Sequence, residues 1–408
     1  MKSNYKAIGN YVNEVKARNS DFSATELMGV NIDKYFMPSV ANIIGTDMSV
    51  YKIVRKGQFA CNRMHVGRDS RLPVALSRRE KPFMVSPAYD VFEIRDTNIL
   101  DPDYLMMWFS RKEFDRNACF YTDADVRGGM PWKALLEMEL PVPSIQKQRE
   151  IIAEYNTIQN RINLNNQLIQ KLEETAQTLY KHWFVDFEFP DINGKPYKSS
   201  GGEMVESEKG TIPCGWKIDS LEGISSQIMG FPFESDFYSF DNGISVLRGE
   251  NVSERYIRWD NHKKWNLQIK PRIQNCFLKA NDIVIGMDGS KVGKNWAMIS
   301  KFDLPLLLAQ RVSCIRAKAS EFQNFIFLSM SFGNFENYVS QVQTGTSIPH
   351  ISGQQIFDFK IVKPEHSIIK NFDTRISPLF EYINVLNSIE KQLHEIRKLL
   401  LSKLATIE

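Results

Sequence analysis

Most signatures of chemistry are missing from this sequence. It has no G-x-x-x-x-G-K-[ST] loop to cradle a triphosphate, no strand-anchored G-x-G-x-x-G, no H-E-x-x-H and no G-x-S-x-G elbow. It also lacks any Asn-Pro-Pro-aromatic or Asp-Pro-Pro-aromatic tetrapeptide of the kind that acts on a flipped base. Cysteine is sparse: Cys61, Cys119, Cys214, Cys276 and Cys314 are odd in number and scattered, with no C-x-x-C or His-containing metal spacing. That pattern predicts reduced thiols, no metal site and a cytoplasmic location. No window nears the roughly 18 apolar residues of a membrane span, and MKSNYKAIGN has no apolar signal region, so no membrane association is expected. The net charge of +3 is too small to indicate a polyanion partner; local clusters of Lys and Arg are the informative feature.

What is present is an unusually long amphipathic stretch in the middle of the chain. Ile151, Tyr155, Ile158, Ile162, Asn165, Ile169, Leu172, Ala176, Leu179 and Trp183 recur at alternating steps of four and three, with no Pro or Gly between them. This is the seam of a supercoiled helix, and one helix cannot bury such a seam alone. A second stretch near the C-terminus carries Ile376, Leu379, Ile383, Leu386, Ile389, Leu393, Ile396 and Leu400 and is its expected partner. Asn165, a lone polar residue on the seam, is expected to set register. Pro378 is expected to kink the second helix or mark its beginning. With 408 residues, 43% of them hydrophobic, there is material for two further cores. The predicted order is a globule over 1–142, a long helix over 143–189, an exposed Gly-, Pro- and Ser-rich connector over 190–215, a second globule over 216–364 and a second helix over 365–408.

The globules look like diverged copies of one unit. Residues 51–62 carry β-branched and aromatic residues on both sides of Gly57, which predicts two strands joined by a tight turn; 85–94 is a further strand-rich block, and 103–114 has helical spacing. Residues 278–294 repeat the order strand, glycine turn, basic loop found over 54–68. A short helix followed by Gly129-Met130-Pro131 is mirrored by one followed by Ser347-Ile348-Pro349. Ile162, Leu172 and Leu179 precede Ile383, Leu393 and Leu400 by 221 residues, the same offset that separates Pro143 from Pro364.

The basic loops are the best candidates for function. Arg63-Met-His65-Val-Gly-Arg68-Asp-Ser-Arg71 and Lys291-Val-Gly-Lys294 set cations around a glycine at equivalent places. Such loops can follow phosphates, while Arg, Asn and His can read base edges. Asp282 and Asp288 invite a reading as paired carboxylates, which with Lys291 would make a phosphodiester-cleaving site; turn and strand-end aspartates are the commoner explanation. A coiled-coil adaptor that recruits proteins and reads no DNA is the alternative of a different class, separable by binding to duplex DNA.

The whole chain resembles the specificity subunit of type I restriction-modification enzymes. The second copy carries the resemblance in Gly230-Phe-Pro-Phe-Glu-Ser-Asp236, Gly243-Ile-Ser-Val-Leu-Arg248-Gly-Glu-Asn251, Ile285-Gly-Met-Asp288-Gly-Ser290, Ala309-Gln-Arg311-Val and Gly345-Thr-Ser-Ile-Pro349-His-Ile-Ser352. The first copy, through Asn31-Ile-Asp33, 38–42, 62–68 and Gly129-Met-Pro131, looks like another variety of the same domain and lacks the Gln-Arg-Val and Asp-Gly-Ser forms. The resemblance implies an α+β fold: two mixed α/β target-recognition globules joined by two long helices that form an antiparallel coiled coil, related by a pseudo-twofold repeat. The helix-pair seam is then Ile158, Ile162, Asn165, Leu172, Leu179, Ile383, Leu386, Leu393 and Leu400. By the same resemblance each globule is expected to read one half of a bipartite asymmetric site in double-stranded DNA, with the helices spacing the halves. Two modification subunits are then expected to dock on the scaffold, with two restriction subunits where restriction occurs. S-adenosylmethionine, ATP and Mg are expected on those partners, and no cofactor or catalytic site in this chain.

Expected DNA contacts are Arg63, His65, Arg68, Arg71 and Arg127 in the first globule, and Arg248, Asn251, Lys291, Lys294, Ser347 and His350 in the second. Gln310 and Arg311 follow the apolar run 304–308 and read as a brace at a strand end.

Overall fold

The computed structural model of the chain describes residues 4–40, 45–64, 66–122, 129–260, 262–345 and 347–407. It divides into two compact units, Met1–Leu164 with Glu390–Glu408, and Asn165–Ile389. The central helix, Ile145–Phe184, and the C-terminal helix, His366–Lys403, each contribute residues to both units.

The first unit is built on a four-stranded antiparallel sheet in the order Val12–Glu14, Asp90–Ile94, Phe59–Cys61, Val74–Leu76. Phe59 sits opposite both Phe92 and Leu76, and its ring stacks on Phe92 at 4.9 Å while Phe109 meets both edge-on. Phe109 arrives on helix Pro102–Phe109, which starts where the sequence provides an Asp101 cap and Pro102 in the first turn. A second helix, Lys112–Phe120, follows after a break at Ser110-Arg111. Strand Tyr5–Ala7 pairs antiparallel with Glu139–Pro141 just before the central helix. The buried Gln148 pins that helix's first turns: its amide donates to the Ile99 and Pro143 carbonyls and accepts from Asp101 N–H.

The same plan recurs in the second unit. Its sheet order is Ser225–Met229, Val312–Ala317, Ile283–Gly286, Trp296–Met298, again antiparallel throughout and again first, fourth, second, third in chain order. Helices Phe322–Phe332 and Phe335–Val342 follow, and Lys217–Ser220 pairs with Lys360–Lys363 before the C-terminal helix. The two long helices begin 221 residues apart, at Ile145 and His366, as the sequence offset requires. The copies differ outside this frame. The second unit adds a four-stranded sheet of Tyr238–Ser239, Lys263–Trp265, Ile244–Leu247 and Leu306–Leu308, where the described residues of the first form only short strand pairs.

Each unit packs one end of each long helix. In the first, Ile152 and Leu404 belong to one core and Arg397 donates to Gln159 Oε1 at 2.7 Å, so advancing along one helix means retreating along the other. In the second, Tyr180, Trp183 and Phe184 surround Phe372, the closest pair being Phe184–Phe372 at 4.7 Å. Within each unit the start of one helix thus meets the end of the other. The expected seam is buried at Ile162, Asn165, Ile383 and Leu386 and half-buried at Ile158, Leu172, Leu179, Leu393 and Leu400. Ile396 departs from it and is exposed beside Leu399.

Two local expectations are corrected and a third is refined. Strands Lys52–Val54 and Phe59–Cys61 do flank Gly57, at φ +83°, but do not pair with each other. The first joins Phe83–Val85 and the second enters the main sheet, because partners from elsewhere in the chain cover each. The segment expected as an exposed connector is exposed along most of its length and carries local order: Met204–Ser207 pairs with Gly210–Pro213, and Tyr197 stacks on the preceding Phe189 at 4.6 Å, which in turn stacks on Trp216 at 4.9 Å. The C-terminal helix runs through Pro378, which is not its beginning. Pro378 leaves one carbonyl of the preceding turn without its helical N–H, while Ile376, Leu379 and Phe380 around it join the core of the unit.

Candidate nucleic-acid interface

In both units the basic loop joins the second and third strands of the main sheet, the equivalence the sequence suggested. In the first unit the loop leaves strand Phe59–Cys61. Arg63 Nε donates to Asp90 Oδ2, its guanidinium reaches the Met130 carbonyl, and it lies 5.8 Å from the Trp132 ring. Met130 N–H returns a bond to the Arg63 carbonyl at 3.0 Å. Arg63 is therefore a half-buried clamp between loop, sheet and the 129–132 segment. Arg68, on the single turn Val66–Asp69, is exposed and forked onto Asp69 at 2.7 and 3.0 Å. Arg71 pairs with Asp33 at 2.5 Å, also on the surface. His65 and Arg127 lie outside the described residues.

In the second unit the loop 287–295 follows strand Ile283–Gly286. Lys291 lies 3.4 Å from Glu254, and Lys294 is 2.8 Å from Glu336, whose hydrogen bond raises the Lys294 pKa. The segment 347–352 is seated on this loop: Gly289 N–H donates to the Pro349 carbonyl at 3.0 Å and Ile351 N–H to the Met287 carbonyl at 2.9 Å. Thr344 and His350 close the turn, exchanging backbone bonds of 2.9 and 2.8 Å and pairing Oγ1 with Nε2 at 2.8 Å. Ser347 is exposed at its tip. Arg248 pairs with Glu250 beneath the Tyr238 ring, 5.6 Å away. Asn251 differs from the expectation. It is 1% exposed, its Oδ1 accepts from Arg248 N–H and its amide donates to the Arg258 carbonyl, each at 3.1 Å, so it holds a turn together.

These loops converge on Asp288. A Cβ built at Gly249 would lie 3.6 Å from its Oδ1, His350 is bridged to it, and Arg311 Nε stands 3.8 Å from its Oδ2. Gln310 and Arg311, expected to brace a strand end, are instead an exposed corner on this same face. The sequence also passed over Arg255. Its guanidinium lies 3.5 Å from the Trp296 ring and bonds Ser331 at 2.7 Å, and burial pushes its pKa down to about 10.

The carboxylate pair required for cleavage does not assemble. Asp282 is 1% exposed and forked onto Arg316 at 2.7 and 2.6 Å. Strand Ile283–Gly286 separates it from Asp288, an extended span of roughly 20 Å. Among the described residues no group of His, Cys, Asp and Glu could hold a metal ion, and no helix is long and apolar enough to cross a membrane.

Chemically, the arrangement offers exposed cations held near acids on loops at one end of each sheet. Pairs such as Lys291–Glu254 and Arg71–Asp33 are half exposed, and surface pairs of this kind are worth at most about 1 kcal/mol. Exchanging such a carboxylate for another anion would therefore cost little.

No protein-family model matches the chain. It is 21% identical to the type I restriction enzyme HindI specificity subunit of Haemophilus influenzae, over 91% of both chains. It is 22% identical to the MjaVIII specificity subunit of Methanocaldococcus jannaschii, over 67% of this chain and 63% of that one. Among solved structures, the type I restriction-modification S subunit from M. genitalium shares the fold with a TM-score of 0.57 at 12% identity, covering 98% of this chain and 95% of that one. In sequence over nearly its whole length, and in fold, this chain is similar to the specificity subunits of type I restriction enzymes.

Proposed function

We propose that this chain is the DNA-recognition subunit of a type I restriction-modification system. Each unit reads one half of a bipartite, asymmetric duplex site, and the helical segments set the unread gap. The observation that carries the reading is the duplication itself: one sheet plan occurs twice, with a basic loop between the same strands and different side chains on it. Two like scaffolds with unlike surfaces suit two unlike half-sites. Similarity to the HindI specificity subunit along 91% of both chains supports it.

The chain supplies recognition and leaves the chemistry to its partners. Two modification subunits carrying S-adenosylmethionine would methylate adenine, and two restriction subunits would use ATP and Mg to cut; the complex would work in the cytoplasm. Phosphate contacts would come from Arg68 and Arg71 in the first unit and Lys291 and Lys294 in the second, with Arg248, Ser347 and His350 facing the duplex. The His65 and Arg127 contacts are retained from the sequence. The test is selection from a random duplex pool by the chain bound to its modification subunit. Enrichment of two fixed half-sites at a constant spacing is expected, and recovery of no sequence would refute the proposal.

A further inference from the structure

We propose that Arg311 discriminates a base pair for the second unit, its guanidinium reading a guanine edge in the major groove, and that Asp288 is the residue that positions it. This rests on the reading of that unit as a DNA-recognition module. Arginine forked onto guanine O6 and N7 is the commonest specific contact in the major groove. It needs a guanidinium that is exposed and unconsumed, on a backbone held in place.

Arg311 meets all three conditions. Its side chain is 63% exposed. Among the described residues its guanidinium forms no hydrogen bond; its ionic neighbour, Asp288, stands at 3.8 Å from Nε, close enough to orient the fork and too far to occupy it. Its backbone is overdetermined. Phe231 N–H donates to Leu308 at 2.9 Å, Gln310 N–H to Phe231 at 2.8 Å, Met287 N–H to Arg311 at 3.0 Å and Val312 N–H to Ala309 at 3.3 Å. The corner also fits against Gly230 so tightly that a Cβ there would lie 1.8 Å from the Ala309 carbonyl oxygen. Within this frame Arg311 adopts φ +68°, a left-handed conformation that long side chains rarely take. Strain held in place by this many contacts points to a use for the side chain it presents.

The first unit provides the contrast. There, at the corresponding strand ends, cation and anion have exchanged places: Arg63 follows the second strand and Asp90 opens the fourth. That pair is 23% and 14% exposed, and Arg63 is taken up by Asp90, the Met130 carbonyl and Trp132. The Arg311–Asp288 pair is 63% and 38% exposed. One scaffold position is a closed clamp in one copy and an open fork in the other. Arg248 and Lys294, elsewhere in the second unit, are hydrogen-bonded to Glu250 and Glu336.

The test compares Arg311→Lys, Arg311→Gly and the double variant Lys291→Ala/Lys294→Ala with the natural chain, each bound to its modification subunit, on duplexes carrying every single-base change of the selected site. Lysine keeps the charge but loses the planar fork. Glycine suits the left-handed corner and should leave the thermal midpoint unchanged or higher. Both Arg311 variants should lose discrimination by about tenfold or more at one G·C pair of one half-site, with the other half-site read as before. Asp288→Asn should weaken discrimination at the same pair. Natural discrimination at every position by Arg311→Lys would overturn the assignment while leaving the DNA-recognition reading intact, as would a uniform loss across all positions. Absence of sequence preference in the natural complex would overturn both.

Discussion

Replacing Lys291 and Lys294 together with alanine separates electrostatic from base-specific binding by the second unit. Each ammonium sits beside a carboxylate, Glu254 at 3.4 Å and Glu336 at 2.8 Å, and each is about half exposed. Pairs that open to solvent contribute at most about 1 kcal/mol, so DNA phosphates can displace the acids at little cost. Each phosphate neutralised adds roughly 0.9 to the slope of log affinity against log salt, and the double variant should lose about 1.8 of that slope. Between 50 and 200 mM salt the natural complex should then lose about tenfold more affinity than the variant. Discrimination between bases should not change, since phosphates carry no sequence. The assay is equilibrium binding of a labelled duplex across that range, with the modification subunit present. Parallel salt lines for the two proteins would refute the reasoning and remove both lysines from the interface.

Three further outcomes follow from packing and charge. Asn251→Ala should strand the Arg248 N–H and the Arg258 carbonyl inside their turn, costing about 1–3 kcal/mol; a thermal melt should show a lower midpoint, with base preference unchanged below it. Gly230→Ala pushes a Cβ to within 1.8 Å of the Ala309 carbonyl oxygen, a backbone clash expected to cost about 4 kcal/mol or more. Limited proteolysis should then cut within 216–364 under conditions where the natural chain resists. Burial pushes the Asp219 carboxyl up, but its bond from Lys363 at 2.8 Å and the Ser220 N–H outweigh this and leave its pKa below 3.8. The unfolded chain therefore takes up this proton first as pH falls, so stability is present above the ordinary value and is lost as pH drops through the folded one. Asp219→Asn should flatten the fall of the melting midpoint as pH drops through and below the ordinary carboxylate range.

The long helices were legible because their signal is periodic and local: Ile162, Ile383 and Leu386 are buried where the four-three spacing put them. The duplication was legible for the same reason, since an offset of 221 survives divergence of the surfaces between its markers. Strand pairing was not. Residues 51–62 read as two strands joined by a tight turn at Gly57, yet register is decided by distant partners, Val85 opposite Lys52 and Phe92 opposite Phe59, which a local pattern does not contain. The local order of the connector was hidden because Tyr197 within it stacks on Phe189, which precedes it, and Phe189 on Trp216, which follows it. At the candidate interface the sequence located the loops but could not sort their cations. Arg63 and Asn251 are consumed by backbone and acid partners, while Arg311 stands open, and only tertiary contacts distinguish these fates.

The central claim is that two unlike units of one chain read two halves of a single site. Mapping methylated adenines in DNA from cells expressing the chain with its modification subunit, beside cells expressing a chain altered only in the second unit at Arg311, tests it most directly. The expected result is one bipartite motif with a constant gap, in which the alteration relaxes one half and leaves the other and the gap unchanged. A contiguous or symmetric motif, or a change spread across both halves, would contradict it.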